Sequence, residues 1–327
     1  MQITEKDGLV FGCLLDGAGG ATDVDWAGVR AWKEGDAPMW VHLDRRSQTV
    51  RDWLQKESGL TEVTISALLA EETRPRIFRG KRGLVAILRG INTNPEEAPL
   101  DLVSIRMWCD GHRVITLRSR KLKTPRDVLE QFKVHAEGPK SASELFSRLI
   151  VRLTERMADA VSQFEDQLDQ IEEELDIQHA SSVRSRLSRL RQDAVHFRRY
   201  MAPQREAMSG LVMEPANWLD DQSRLHLREA GDRLARYVEE IDAARERSIV
   251  LKDDIANQIA EQSNKTLYLL ALISAIFLPL SFFTGMFGIN VGGVPGVENP
   301  LGFALFSLAM IVLLAIELWL IRKLKWL

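Results

Sequence analysis

Cysteine is nearly absent: Cys13 and Cys109 are the only two in 327 residues. Both lie in apolar, strand-like stretches, so no disulfide framework exists, and burial in a reducing, cytoplasmic setting is expected for both. The six histidines, His42, His112, His135, His179, His196 and His226, are scattered, with no two at i,i+4. That excludes a zinc cage built from sequence neighbours. There is no glycine-rich phosphate loop, no GxSxG, no HExxH and no Cys-x-x-Cys, and Asp16-Gly17 with Gly19-Gly20 reads as a turn. An enzyme would therefore have no recognisable nucleophile, base or cofactor motif, and none is expected. Internal repeats and low-complexity tracts are missing. So is a secretory signal: Met1 to Gly8 is polar, and the apolar Leu9 to Leu15 is short and lacks a basic lead.

Charge is missing where it matters most. The composition is 45% hydrophobic and 27% charged with net charge −3, yet the average hides a charged front and an apolar end. Leu267 to Phe287 and Leu301 to Ile321 contain no Lys or Arg, and their only acid is Glu317. Each run is about 20 residues, the length a helix needs to cross a hydrocarbon core of ~30 Å. The link between them, Gly288 to Pro300, is too short to be a domain. Two membrane spans are predicted, with lipid as their surroundings. Lys265, Arg322, Lys323 and Lys325 flank the runs, and the link holds only Glu298, which places both termini in the cytoplasm. Trp319 and Trp326 stand where an inner aromatic belt would be.

One face of the first span is unusual. Steps of three and four residues give Asn264, Leu267, Ala271, Ser274, Leu278, Ser281, Gly285 and Gly288, a small or weakly polar stripe interrupted by two leucines. Such a stripe can line a pore made from several copies, with leucine rings as constrictions. It fits a close helix–helix contact equally well. Gly288-Ile289-Asn290 decides between them. This triplet, directly after the first of two C-terminal spans, resembles the Gly-x-Asn signature of the CorA superfamily of divalent-cation channels and transporters. Val291-Gly292-Gly293-Val294-Pro295-Gly296 resembles its zinc-transporting ZntB branch rather than the magnesium branch. So do Arg198-Arg199-Tyr200-Met201-Ala202-Pro203-Gln204-Arg205, Arg74-Pro75-Arg76 and Lys325-Trp326-Leu327. The resemblance implies a homopentamer in a bacterial inner membrane with the first spans around the axis. Asn290 would then meet a hydrated ion at the mouth, its amide oxygen replacing outer-shell water without gripping the metal. A helix cap is the plainer reading of Asn290 by itself.

The rest of the chain reads as a cytoplasmic α/β domain over 1–140, a long-helix stalk or funnel over 141–264, and the transmembrane hairpin over 265–327: an α+β membrane protein. Leu9–Leu15, Met39–Leu43, Leu84–Ile91, Leu102–Cys109 and Arg113–Arg118 read as strands, with Asp110-Gly111 a hairpin turn. Thr49–Ser58, Thr61–Leu69 and Thr124–Glu137 read as helices. Ser143 to about Ile177 is expected as one helix with an acidic end, followed by a basic helix bearing Arg184, Arg186, Arg189, Arg191, Arg198 and Arg199. Complementary charged faces account for both, although some of the acids would also attract cations. Nucleic acid is excluded as a partner because neighbouring acids cancel the arginines' field. Leu227, Leu234, Ile241, Ser248, Ile255 and Gln262 recur every seven residues, with Ala230, Tyr237, Ala244, Leu251 and Gln258 filling the second position of a coiled-coil heptad. No Gly or Pro occurs from Asp232 to Leu278, so one helix is predicted from about Asp220 to Met286, roughly 100 Å long at 1.5 Å per residue.

Divalent-cation transport is the function expected, with Zn2+ as cargo by the ZntB resemblance and Mg2+ or broad specificity as the alternative. A membrane-anchored coiled-coil sensor or scaffold would explain the spans but not the stripe. The lining from Asn264 to Asn290 has no Cys, His, Asp or Glu. Passage of a hydrated ion is therefore expected, open also to Cd2+, Co2+ or Ni2+.

Overall fold

The computed structural model describes residues 7–71, 73–94, 101–134, 137–174, 180–289 and 299–324. The chain forms two units, one holding residues up to 175 and 181–252, the other 176–180 and 253–327.

The first unit is built on a seven-stranded sheet. Its strands are β1 (Leu9–Leu15), β2 (Ala21–Asp23), β3 (Met39–Asp44), β4 (Arg76–Arg79), β5 (Leu84–Gly90), β6 (Val103–Cys109) and β7 (Arg113–Arg118). They lie in the order β2-β1-β3-β7-β6-β5-β4. Only β3 and β7 run parallel; the other neighbours are antiparallel. The β6–β7 turn works as expected: Asp110 Oδ1 accepts from the N–H groups of His112 and Arg113, and Gly111 takes a φ of 94° that a side chain would resist. The five expected strands are present to within a residue or two. β2 and β4 were not foreseen; each is short, partly exposed and at a sheet edge.

Both faces of the sheet are buried, which is why its central strands are apolar almost without alternation. Three helices, α1 (Trp26–Ala31), α2 (Gln48–Lys56) and α3 (Glu62–Leu69), cover one face. Their Val29, Val50, Trp53, Leu54, Ile65 and Leu68 share a core with Met39, Val41, Leu43, Ile115 and Leu117. On the other face lie α4 (Lys123–Val134) and α5 (Ala142–Glu155), where Phe132 meets Trp40. Thr116 organises this side. Its hydroxyl donates to the Val41 carbonyl and accepts from Trp40 Nε1, so His42 Nδ1, 2.9 Å away, is left to donate to it. Burial, aided by the charge of Arg118, holds the His42 pKa down at about 3. Cys13 and Cys109 are buried and unbridged as expected, and burial pushes the Cys13 thiol up to about 12.

The long helix expected from Ser143 is two helices. After α5 the chain makes a turn at Arg156–Met157, with Met157 fully buried, before α6 (Ala158–Glu173) begins. The turn contains neither glycine nor proline. Ser141 caps α5 by accepting from the Glu144 N–H. Then come α7 (Ala180–Met213) and the 67-residue α8 (Asp221–Phe287), continuous as predicted. The heptad positions of α8 are buried from Leu227 to Ile255, while Gln258 and Gln262 are exposed. The helices that face it are the chain's own. Arg233 pairs with Glu155, Arg247 with Asp169 and Glu172, and Arg198 with Asp242. The acidic end of α6 is thus partly neutralised by α8, and Glu174 pairs with Arg186 of α7.

Part of the Arg198–Arg205 run has a structural task. β4 ends at Arg76, opposite Ile87, so Arg89 two residues further on has no strand on that side. The buried Gln204 takes the strand's place: its Oε1 accepts from Arg89 N at 2.7 Å and its Nε2 donates to Arg89 O at 3.2 Å. The Arg89 guanidinium lies over the Tyr200 ring at 4.6 Å. Gln204→Ala would remove both of these hydrogen bonds. It should lower unfolding stability by about 1–3 kcal/mol, as read from denaturant midpoints.

Candidate functional site

The second unit contains the apolar part of α8 and α9 (Gly302–Lys323). Both are long and apolar enough to cross a membrane. The most apolar 18-residue stretch of α8 buries none of its residues in the chain, and that of α9 buries 6%. Apolar helices this bare are not soluble cores, whose faces are covered by their own chain. Phe287 and Phe306 join the two helices with ring centroids 5.1 Å apart. Lys323 sits 4.8 Å from the Trp319 ring, a cation and an aromatic paired at one end of α9.

The predicted stripe lies on α8 as one row, because residues three and four apart share a helical face. Leu267 is 62% exposed and Leu278 71%, so neither is covered within the chain. Asn264, Ala271, Ser274, Ser281 and Gly285 are exposed beside them. Ser274 turns its hydroxyl proton inward to the Leu270 carbonyl at 2.8 Å, and Thr284 does the same to Leu280 at 3.0 Å. These hydroxyls meet their donor needs within the helix and present only acceptor lone pairs outward. Among the described residues no group of three or more His, Cys, Asp or Glu is placed to hold a metal ion.

Pro279 lies inside α8, one residue past the stripe's Leu278, and sequence reasoning passed over it. Proline has no N–H, so the carbonyl of Ala275 loses its helical donor. Ala275 is one turn from both Ala271 and Leu278, so this freed carbonyl lies at the stripe's edge. Gly288 and Ile289 follow the helix; Asn290 lies outside the described residues, as do His135 and His179. Gly288 N donates to the Thr284 carbonyl at 2.9 Å, ending the helix. A Cβ on Gly288 would stand 2.9 Å from Thr284 O, whereas one on Gly285 would meet nothing within 4 Å. Close backbone approach, not a left-handed conformation, is what glycine allows at 288.

Comparison with known proteins bears on the whole chain. The family described as CorA-like Mg2+ transporter protein matches residues 35–323. The divalent cation transporter CmaX of Pseudomonas aeruginosa is 38% identical over 326 residues, 99% of this chain and 98% of that protein. The zinc transport protein ZntB of Yersinia enterocolitica is 33% identical over 318 residues, 97% and 96% of the two chains. The structure of full-length CmaX superposes with a TM-score of 0.85 at 37% identity, covering 99% of this chain and 100% of that one.

The two glycines differ in a way that can be measured. Gly288→Ala should destabilise the end of α8 by about 1–3 kcal/mol, because Thr284 O must move. Gly285→Ala should leave a single chain unharmed. Thermal melts of the detergent-solubilised protein should show the first lowered and the second unchanged.

Proposed function

The chain belongs to the CorA-like transporter family, a family of divalent-cation transporters and not of enzymes, and we propose that it carries Zn2+ through a pore lined by α8. The protein is a membrane protein with two C-terminal transmembrane helices. On our reading it is a homopentamer in a bacterial plasma membrane, with both termini cytoplasmic and the stripe of each copy facing the axis. One observation carries this: the stripe from Asn264 to Gly285 is left bare by its own chain, and a single hairpin cannot enclose a path.

The chemistry of that stripe limits the mechanism. Its outward-facing groups are the Asn264 amide, the serine hydroxyls, of which Ser274 offers only lone pairs, methyl and methylene groups, and the freed Ala275 carbonyl nearby. None is the thiolate or imidazole that binds zinc directly. A hydrated ion needs only acceptors for its water protons, and weak acceptors let it leave. Asn290, by its place in the chain, would offer such an amide at the outer mouth. Leu267 and Leu278 would form apolar rings that close the path by shedding water.

A broader divalent specificity is the second reading. It is favoured by the higher identity to CmaX, named only as a divalent cation transporter, than to ZntB. Metal flux into proteoliposomes tests both. Asn290→Ala should abolish flux while assembly, read as particle mass in mild detergent, stays intact. Wild-type flux through that variant would exclude the mouth as a selective element, and a monomeric mass for the wild type would exclude the pore.

Two further outcomes follow from the lining. Leu278→Ser should leak more than one cation, since a hydroxyl ring holds the water a leucine ring expels. Cd2+, Co2+ and Ni2+ should compete with Zn2+ uptake, and Met286→Leu should be nearly silent. Uptake indifferent to all three ions would refute hydrated passage.

A further inference from the structure

The strongest unassigned feature lies in the first unit, far along the chain from the proposed pore. At one end of the sheet, on the α4 side, a cavity of about 250 Å3 opens between β1, β3, the end of β7 and the start of α4. Arg118, Lys121, Lys123 and Arg126 line it, His42 and Phe11 stand in its wall, and no carboxylate is among its described lining residues. The sequence places these cations together: five occur between Arg118 and Arg126, with no acid.

The acids nearby are already taken. Asp101 binds Arg120 at 2.7 Å. Asp127 is shared by Arg152 at 3.1 Å and Arg156 at 2.6 Å. Asp44 is held by Arg46 at 2.6 Å. Among the described residues, Lys121, Lys123 and Arg126 have no ion pair. Arg118 is buried in the wall and has contacts of its own, yet its charge still helps to keep His42 neutral.

The start of α4 points the same way. A helix N-terminus favours negative charge, and its first N–H groups lack helical partners. Here the first turn has no acid and begins on Lys123, with Arg126 one turn on. The arrangement opposes the helix dipole unless an anion sits between. Asn94 Nδ2 donates to the Lys121 carbonyl at 3.2 Å, fixing the loop that carries the first lysine.

We propose that this cavity binds a soluble anion carrying two linked phosphate groups. Three unpaired cations call for about three negative charges, whereas a single phosphate monoester carries ~1.5–2 at neutral pH. The lysines would act as point charges and Arg126 as a two-pronged donor, beside the positive end of the α4 dipole. The site is independent of the pore and its ligand is not the transported ion, so either reading can fail without the other.

Calorimetric titration of the full-length protein in detergent, free of divalent ions, with inorganic pyrophosphate tests it. Saturable binding of one pyrophosphate per chain is expected, stronger than that of orthophosphate. Lys121→Glu/Lys123→Glu and Arg126→Glu should each weaken it roughly tenfold or more. Lys33→Glu/Lys56→Glu, on exposed positions elsewhere in the same unit, should not. All these side chains are exposed, and unchanged melting temperatures would show the variants folded; Lys121→Gln/Lys123→Gln serves if charge reversal unfolds the chain. The proposal is overturned by absence of saturable binding, by cavity variants that keep wild-type affinity, or by equal loss in the distant control.

Discussion

The fold depends on one unmet requirement: the last third of α8 is an apolar helix that its own chain leaves uncovered. Backbone hydrogen bonding is complete within the helix apart from the break at Pro279, so the segment can enter hydrocarbon without stranding polar groups. Its side chains can be removed from water only by lipid or by further copies of the chain. The same helix begins under different rules. From Leu227 to Leu251 its heptad face is buried, and α5, α6 and α7 form ion pairs with it. Beyond Ile255 the positions that would continue that core are Gln258 and Gln262, and no in-chain neighbour buries them. One continuous helix therefore passes from a packed soluble layer to a bare apolar segment with no break in its backbone.

Much of this was legible in the sequence, for identifiable reasons. The spans announce themselves by length and missing charge, and the long helix by the absence of helix breakers over many turns. Asp110-Gly111 specifies its hairpin through the aspartate's two backbone acceptor bonds. The failures share a different cause. The break at Met157 carries no glycine or proline to announce it, and β4 exists by pairing with β5. Gln204 looks like one more polar residue in a basic run until the open edge of β5 beside Arg89 is seen. The heptad was correctly periodic, but periodicity cannot say whose helices fill the groove; here they belong to the same chain.

The candidate site was legible as a row of residues and illegible as a chemical surface. Spacing alone places Asn264 to Gly285 on one face. It does not show that Ser274 and Thr284 spend their protons on their own helix, which leaves these two hydroxyls to act outward as acceptors. Nor did it draw attention to Pro279, whose missing N–H is what frees a carbonyl beside the stripe. The glycines also separate only in three dimensions. Gly288 is required by a carbonyl pressed against it, and Gly285 by nothing among the described residues. A glycine that its own fold does not need is explained by what approaches from outside, whether water and ion in a pore or the backbone of another helix.

Electrostatics divides the molecule's labour. In the helical layer, acids and arginines are matched within the chain: Asp169 and Glu172 with Arg247, Glu174 with Arg186, Asp242 with Arg198. Matched charges of this kind hold few free sites for cations, and exposed pairs contribute little to stability. Their use lies in cancelling long-range fields along a surface that would otherwise bind ions indiscriminately. At the start of α4, by contrast, Lys121, Lys123 and Arg126 have no ion pair among the described residues although acids are available nearby. Those acids are instead committed to other arginines. Several cations with no acid among them in the lining of one cavity give that point a field suited to an anion and unsuited to a divalent cation.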